Sequence, residues 1–173
     1  MEEAVFFKSA NGRIYVKATG HATAFVCPSL KAAVFGRLDS PPSVEGVYFD
    51  LSECEYMDST FLGLIVGTQK RFGRLTILQR GVVGSIVLLG VNEACKGLLR
   101  TIGVLGMVEI SDADADFPED LERLSGEPRT SAQFLLDVHE ELSELSEENR
   151  RRFATLTTIL KKAADAESRD RER

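Results

Sequence analysis

The stretch from Val47 to Gly67, VYFDLSECEYMDSTFLGLIVG, constrains the fold more than any other part of the chain. Val47-Tyr48-Phe49-Asp50-Leu51 is a short, nearly continuous apolar run, the pattern of a central strand covered on both faces. Beyond a loop, Asp58-Ser59-Thr60 precedes Phe61, Leu62, Ile65, Val66 and Gln69, a polar helix start followed by one buried stripe. A strand needing cover on both faces, with a helix leaving from its end, calls for a layered α/β arrangement.

The flanking segments repeat the alternation. Ala4 to Lys8 and Arg13 to Thr19 are rich in β-formers and are separated by a segment holding Asn11-Gly12, a hairpin signal. After Gly20, the segment Pro28 to Leu38 sets Leu30, Val34 and Leu38 at helical spacing, and Pro28 suits a first helical turn. Asp39-Ser40-Pro41-Pro42 is a turn. Ile86 to Leu89 is a second buried strand, followed by Asn92 as a cap and by Ala94, Leu98, Leu99 and Ile102 on one helix face that Gly103 ends. Met107 to Ile110 is a last strand, and a short helix is expected around Pro118 to Leu124. Gly73 to Ser85 fits neither period cleanly and is read as extending the preceding helix by a turn or two before a loop. The expectation is an α/β domain over residues 1–125, with a mixed β-sheet of about five strands and helices.

The sequence changes character at Gly126-Glu127-Pro128, and residues 127–173 read as an amphipathic helical extension. From Ser131 to about Ala166, Leu135, Val138, Leu142, Leu145, Asn149, Leu156, Ile159 and Ala163 fall near a 3–4 spacing, with Phe153 and Leu160 widening the stripe. That is up to about 35 residues of helix, or roughly 50 Å. Unbroken, it would offer a homodimer seam with polar Asn149 setting the register; a break near Ser146 to Asn149 would let two helices fold back on the domain. The charged end, Glu167 to Arg173, is expected to fray.

Composition narrows the function. A chain of 173 residues with 43% hydrophobic content supports one good core. A net charge of -6, without a long Lys/Arg cluster in the first three quarters, opposes a nucleic-acid partner and favours protein partners. No run of about 18 apolar residues occurs, and Met1-Glu2-Glu3 is unlike a signal peptide, so a cytoplasmic protein without membrane insertion is expected. Cys27, Cys54 and Cys95 are scattered singly, as reduced buried thiols would be. His21 and His139 are the only imidazoles, too little material for a His-rich metal site or a His-dependent triad. No phosphate-cradling glycine motif is present; Gly81-Val82-Val83-Gly84 has the G-x-x-G spacing of KH domains without the basic residue that RNA phosphates need. Arg150-Arg151-Arg152 follows Glu147-Glu148, a pattern of ion pairs on a helix surface. Neither a cofactor nor enzymatic activity is expected.

Asp50-Leu51-Ser52 at a strand end, a short loop, Asp58-Ser59-Thr60 and then Leu62-Gly63 resemble the signature of the STAS family, named for sulfate transporters and anti-sigma factor antagonists. The resemblance runs from about Ala4 to Leu124, and includes the hairpin, Gly20 and the later segment IVLLGVNEACKGLLRTIGVLGMVEI. It implies a STAS fold and an anti-sigma factor antagonist-like regulator. Such a protein binds a serine kinase that is also an anti-sigma factor, is phosphorylated by it, and is reset by a serine phosphatase. The modified hydroxyl maps onto Ser59, with Thr60 as the alternative, and Asp58, Ser59, Thr60, Phe61 and Leu62 would form the partner-binding surface.

A phosphate there would add about -1.5 to -2 charges at a helix N-terminus whose free N–H groups accept it. The fold would tolerate it; a partner docked on the same surface would not. The plainer reading of the same residues is a helix cap at Asp58 and a loop-stabilising acceptor at Asp50. The sequence departs from the family pattern at Phe61, where the antagonists usually have glycine, and at Thr23, where many members are acidic. It also has a longer segment before Ile86 and the added C-terminal helix. A second functional class stays open: a STAS subunit of a constitutive assembly, such as a lipid-transport ATPase complex or a stressosome-like scaffold, in which Ser59 is structural.

Overall fold

In the computed structural model, which describes residues 2–173, strand β1 (Ala4–Ala10) returns through Asn11-Gly12 into β2 (Arg13–Ala22). Asn11 and Gly12 both have positive φ (52° and 73°), the geometry that matches a two-residue turn to the twist of its strands. Helix α1 (Cys27–Leu38) then crosses to β3 (Gly46–Met57), and α2 (Ser59–Arg80) crosses to β4 (Val87–Leu89). Helix α3 (Glu93–Ile102) leads to β5 (Glu109–Ser111), and β6 (Glu122–Arg123) closes the other edge. The order is β5-β4-β3-β2-β1-β6, parallel from β2 to β5 and antiparallel at both β1 pairings.

The sheet is thus mixed, as the alternation predicts, but has six strands. The extra one replaces the short helix expected near Pro118 to Leu124. Strand β1 would otherwise leave backbone groups unpaired; Phe6 and Phe7 pair with Arg123 and Glu122, and Leu124 N–H donates to Val5 O at 2.8 Å. Phe117 packs edge-on to Tyr15 just before it, so tertiary pairing overrides local helix preference.

Strand β3 is also longer than the run Val47 to Leu51. Its buried residues Leu51, Cys54 and Met57 recur every third position, which hides a strand from a period-two reading. Register shifts against β2, between Lys17 and Thr19 and again between Gly20 and His21, absorb the surplus residues. The segment read as a loop is therefore strand up to Met57, and it delivers Asp58 directly to the start of α2. That helix continues through Gly73 to Arg80, as predicted, and ends at Gly81 with φ 73°.

Two further helices, α4 (Ala132–Ser143) and α5 (Glu147–Arg171), form the C-terminal region. The stripe is broken between them, so the helices fold back rather than run on. Buried Asn149 fixes the elbow by donating from Nδ2 to Ile102 O at 2.8 Å and Leu142 O at 2.9 Å. Helix α5 extends to Arg171, and the Glu167 carboxylate accepts the Ala132 N–H at 3.1–3.2 Å. Arg150 pairs with Glu147 and Arg152 with Glu148, as their spacing predicts.

The three cysteines are free and buried. Burial raises each thiol, with Asp58 adding to the effect at Cys27 and Cys95 adding to it at Cys54, which reaches about 11. Because the thiolate is the reactive form, the native protein at about pH 8 should react negligibly with DTNB over minutes. The same reagent should titrate all three thiols once denaturant is added; a fast native reaction would contradict this packing.

Candidate functional site

Asp58 links the last residue of β3 to the first of α2. Its backbone is extended, its N–H donates to Ala22 O at 3.1 Å, and its two carboxylate oxygens serve different elements. Oδ1 accepts the Phe61 N–H at 2.9 Å, capping α2, while Oδ2 accepts the Ala24 N–H at 2.9 Å and fixes the turn into α1. Asp50 has the local role read for it: Oδ1 accepts Ser52 N–H at 3.0 Å and Ser52 Oγ–H at 2.6 Å.

Ser59 lies half-buried in the first turn of α2, with Oγ 2.9 Å from His139 Nε2. His139 is only 3% exposed, and its Nδ1 lies 2.7 Å from Leu135 O. A carbonyl can only accept, so Nδ1 carries a proton, and whenever the imidazole is neutral Nε2 accepts from the serine hydroxyl. The ring also packs edge-on to Phe153, 5.6 Å between centroids.

Other residues expected on this surface face inward. Phe61 is 0% exposed and packs edge-to-face on Phe49 at 6.4 Å; Leu62 is 1% and Thr60 5% exposed. Consecutive residues on a helix are turned by about 100°, so Thr60 and Phe61 point away from the face of Ser59, while Leu62, about 60° round from it, is buried by packing. Phe61 and Leu62 therefore belong to the core rather than to a docking surface, and the Thr60 hydroxyl is not displayed beside that of Ser59.

The elements that do meet Ser59 come from α4. At Gly63, one turn along α2, an added Cβ would overlap the Val138 carbonyl oxygen and stand 2.9 Å from Val138 Cβ, so only glycine admits the α4 backbone there. Farther along, Lys70 Nζ lies 2.6 Å from Glu141 Oε2 and 2.9 Å from Glu144 Oε2. Burial alone would depress the Lys70 ammonium, but hydrogen bonds and charges from the two glutamates outweigh it and hold the group above its ordinary value. The Lys70 ammonium is thus charged at neutral pH, and its part in the clamp is lost as pH rises through the raised value. Lys31 of α1 adds a third tie, 5.3 Å above the Phe134 ring.

Sequence reasoning missed His139, Gly63 and Lys70 as parts of this site. Gly63 and Gly67, four apart on one helix, carried the available signal: a smooth stripe where a second helix can approach closely. Among the described residues no group of three His, Cys, Asp or Glu side chains could hold a metal ion, and no helix is long and apolar enough to cross a membrane.

A mixed sheet with a parallel run from β2 to β5, and a capped helix leaving β3 with a serine in its first turn, set the architecture of this α/β domain. A candidate anti-sigma factor antagonist from Thermotoga maritima has this fold, with a TM-score of 0.50 and 23% identity over 62% of this chain and 85% of that one. The phosphorylated form of the Bacillus cell fate determinant SpoIIAA gives 0.49 and 14% over 62% and 91%. The unphosphorylated form of the anti-sigma factor antagonist SpoIIAA gives 0.46 and 15% over 64% and 90%. No protein-family profile and no curated protein matches the sequence. The chain carries the STAS fold found in anti-sigma factor antagonists.

Proposed function

We propose that this is a non-enzymatic cytoplasmic regulator of the anti-sigma factor antagonist kind, which binds a serine kinase acting as an anti-sigma factor. Phosphorylation of Ser59 releases that partner, and a serine phosphatase restores binding. The observation carrying this reading is the position of the Ser59 hydroxyl, in the first turn of α2 directly after capping Asp58, within the fold shared with the Thermotoga protein. Free N–H groups at that helix end suit added negative charge. Exposed Tyr56 and Phe25, flanking Asp58 and its bonded neighbour Ala24, offer the apolar contact that Phe61 and Leu62 do not.

The test is a pull-down from the source cell with full-length wild type, Ser59→Ala and Ser59→Glu, followed by phosphosite mass spectrometry. The wild type and Ser59→Ala should retain the same kinase, Ser59→Glu should bind it roughly a hundredfold more weakly, and phosphate should be found on Ser59 rather than Thr60. A complex indifferent to charge at Ser59 would reject this function. It would favour a STAS subunit of a constitutive assembly, a lipid-transport ATPase complex or stressosome-like scaffold, for which the engagement of Ser59 by His139 beneath α4 speaks.

A further inference from the structure

We propose that the α4–α5 hairpin is a removable cover, an autoinhibitory segment that withholds Ser59 until α4 lifts from α2. The regulatory meaning rests on Ser59 being the switched hydroxyl; the cover itself rests only on geometry. Helix α4 occupies the space that a kinase active site or a docked protein would need, because His139 takes the Ser59 hydroxyl and Val138 fills the notch at Gly63. A phosphate on Ser59 in this rotamer would overlap His139, which stands 2.9 Å from the hydroxyl, so phosphorylation opposes docking of α4.

The contact has the composition of a separable interface. Beside the apolar contacts of Phe134, Leu142 and Leu145 with the main core and of Val138 at the Gly63 notch, it is held by polar and charged groups: the Ser59–His139 hydrogen bond, the Lys70 clamp to Glu141 and Glu144, and Lys31 above Phe134. The far end of the hairpin has its own small apolar cluster, Ala132 and Leu136 against Leu160 and Ala164, distinct from the main core. That end therefore stays paired when it leaves α2. The elbow is tied into the main core through Leu142, Phe153 and Asn149, which places the pivot there, and lifting α4 also breaks the Thr130 hydrogen bond to Ala24 O just before the helix.

The cover is tested in the full-length chain with Ser59→Cys, using DTNB as the probe against the silent background of the three buried native thiols. The introduced thiol should react slowly. Adding either Gly63→Ala, which overfills the notch, or Lys70→Glu, which reverses the clamp without touching the core, should speed its reaction by about tenfold or more. Hydrogen exchange should quicken in α4 while β2 and β3 stay protected. An unchanged rate in both variants, or acceleration only together with loss of protection in the sheet, would overturn the proposal. These rates do not depend on any partner, so a failed kinase pull-down would remove the proposed function and leave the cover standing.

Discussion

Truncating Phe61 to alanine should lower stability by about 3–5 kcal/mol, through lost burial and the cavity left under the first turn of α2. The ring is fully buried and stacked edge-to-face on Phe49, so nothing nearby can fill its place without moving the helix off the sheet. Thermal unfolding should drop by roughly 10 °C or more for a chain of this size. Urea melts and calorimetry would check it; a loss under about 1 kcal/mol would mean that the ring is not the wedge it is taken to be. Phe61→Gly should be at least as damaging, since glycine also loosens a helix interior.

Replacing Asn149 by alanine should cost roughly 2–4 kcal/mol, because the carbonyls of Ile102 and Leu142 lose the buried donor that serves both. The effect should be local. Amides of α4 and α5 should exchange faster while those of the central strands keep their protection, since the elbow is the link between α3 and the hairpin. A small loss, or one spread evenly over the molecule, would show that Phe153 and Leu142 hold the elbow without the amide. Asn149→Leu is the informative companion, as it restores apolar volume but no donor.

The central unit was legible because its physics is local. A doubly covered strand, an acidic cap and a stripe at helical spacing can be read along the chain, and Asp58 caps α2 as that pattern requires. Strand β3 beyond Leu51 was not legible, because register shifts destroy the period by which strands are recognised. Strand β6 was missed for a related reason: two residues pair only because β1 has a free edge, which no local signal encodes. The surface around Ser59 was misread at Phe61 and Leu62, where adjacency in sequence stood in for adjacency in space. His139 was invisible in its role because the side chain it meets is 80 residues away. The hairpin itself could be foreseen as one of two arrangements, and the choice between them lies in tertiary contacts at the elbow, where Ser146 caps α5 and Asn149, Leu142 and Phe153 are buried.

The chain between the domain and α4 is short and pinned: Ser29 Oγ–H donates to Ser125 O at 2.7 Å, Glu127 N–H to Phe25 O at 2.7 Å and Thr130 Oγ–H to Ala24 O at 3.3 Å. A segment tethered so closely competes for its site at an effective concentration of about millimolar. Any outside protein binding the same face has its apparent affinity multiplied by the small fraction of molecules that are momentarily bare. The cellular dose needed for a response would then be set in part by Gly63 and Lys70, residues that the incoming protein need never contact. A single added methyl at the notch would shift that threshold without altering the recognition chemistry.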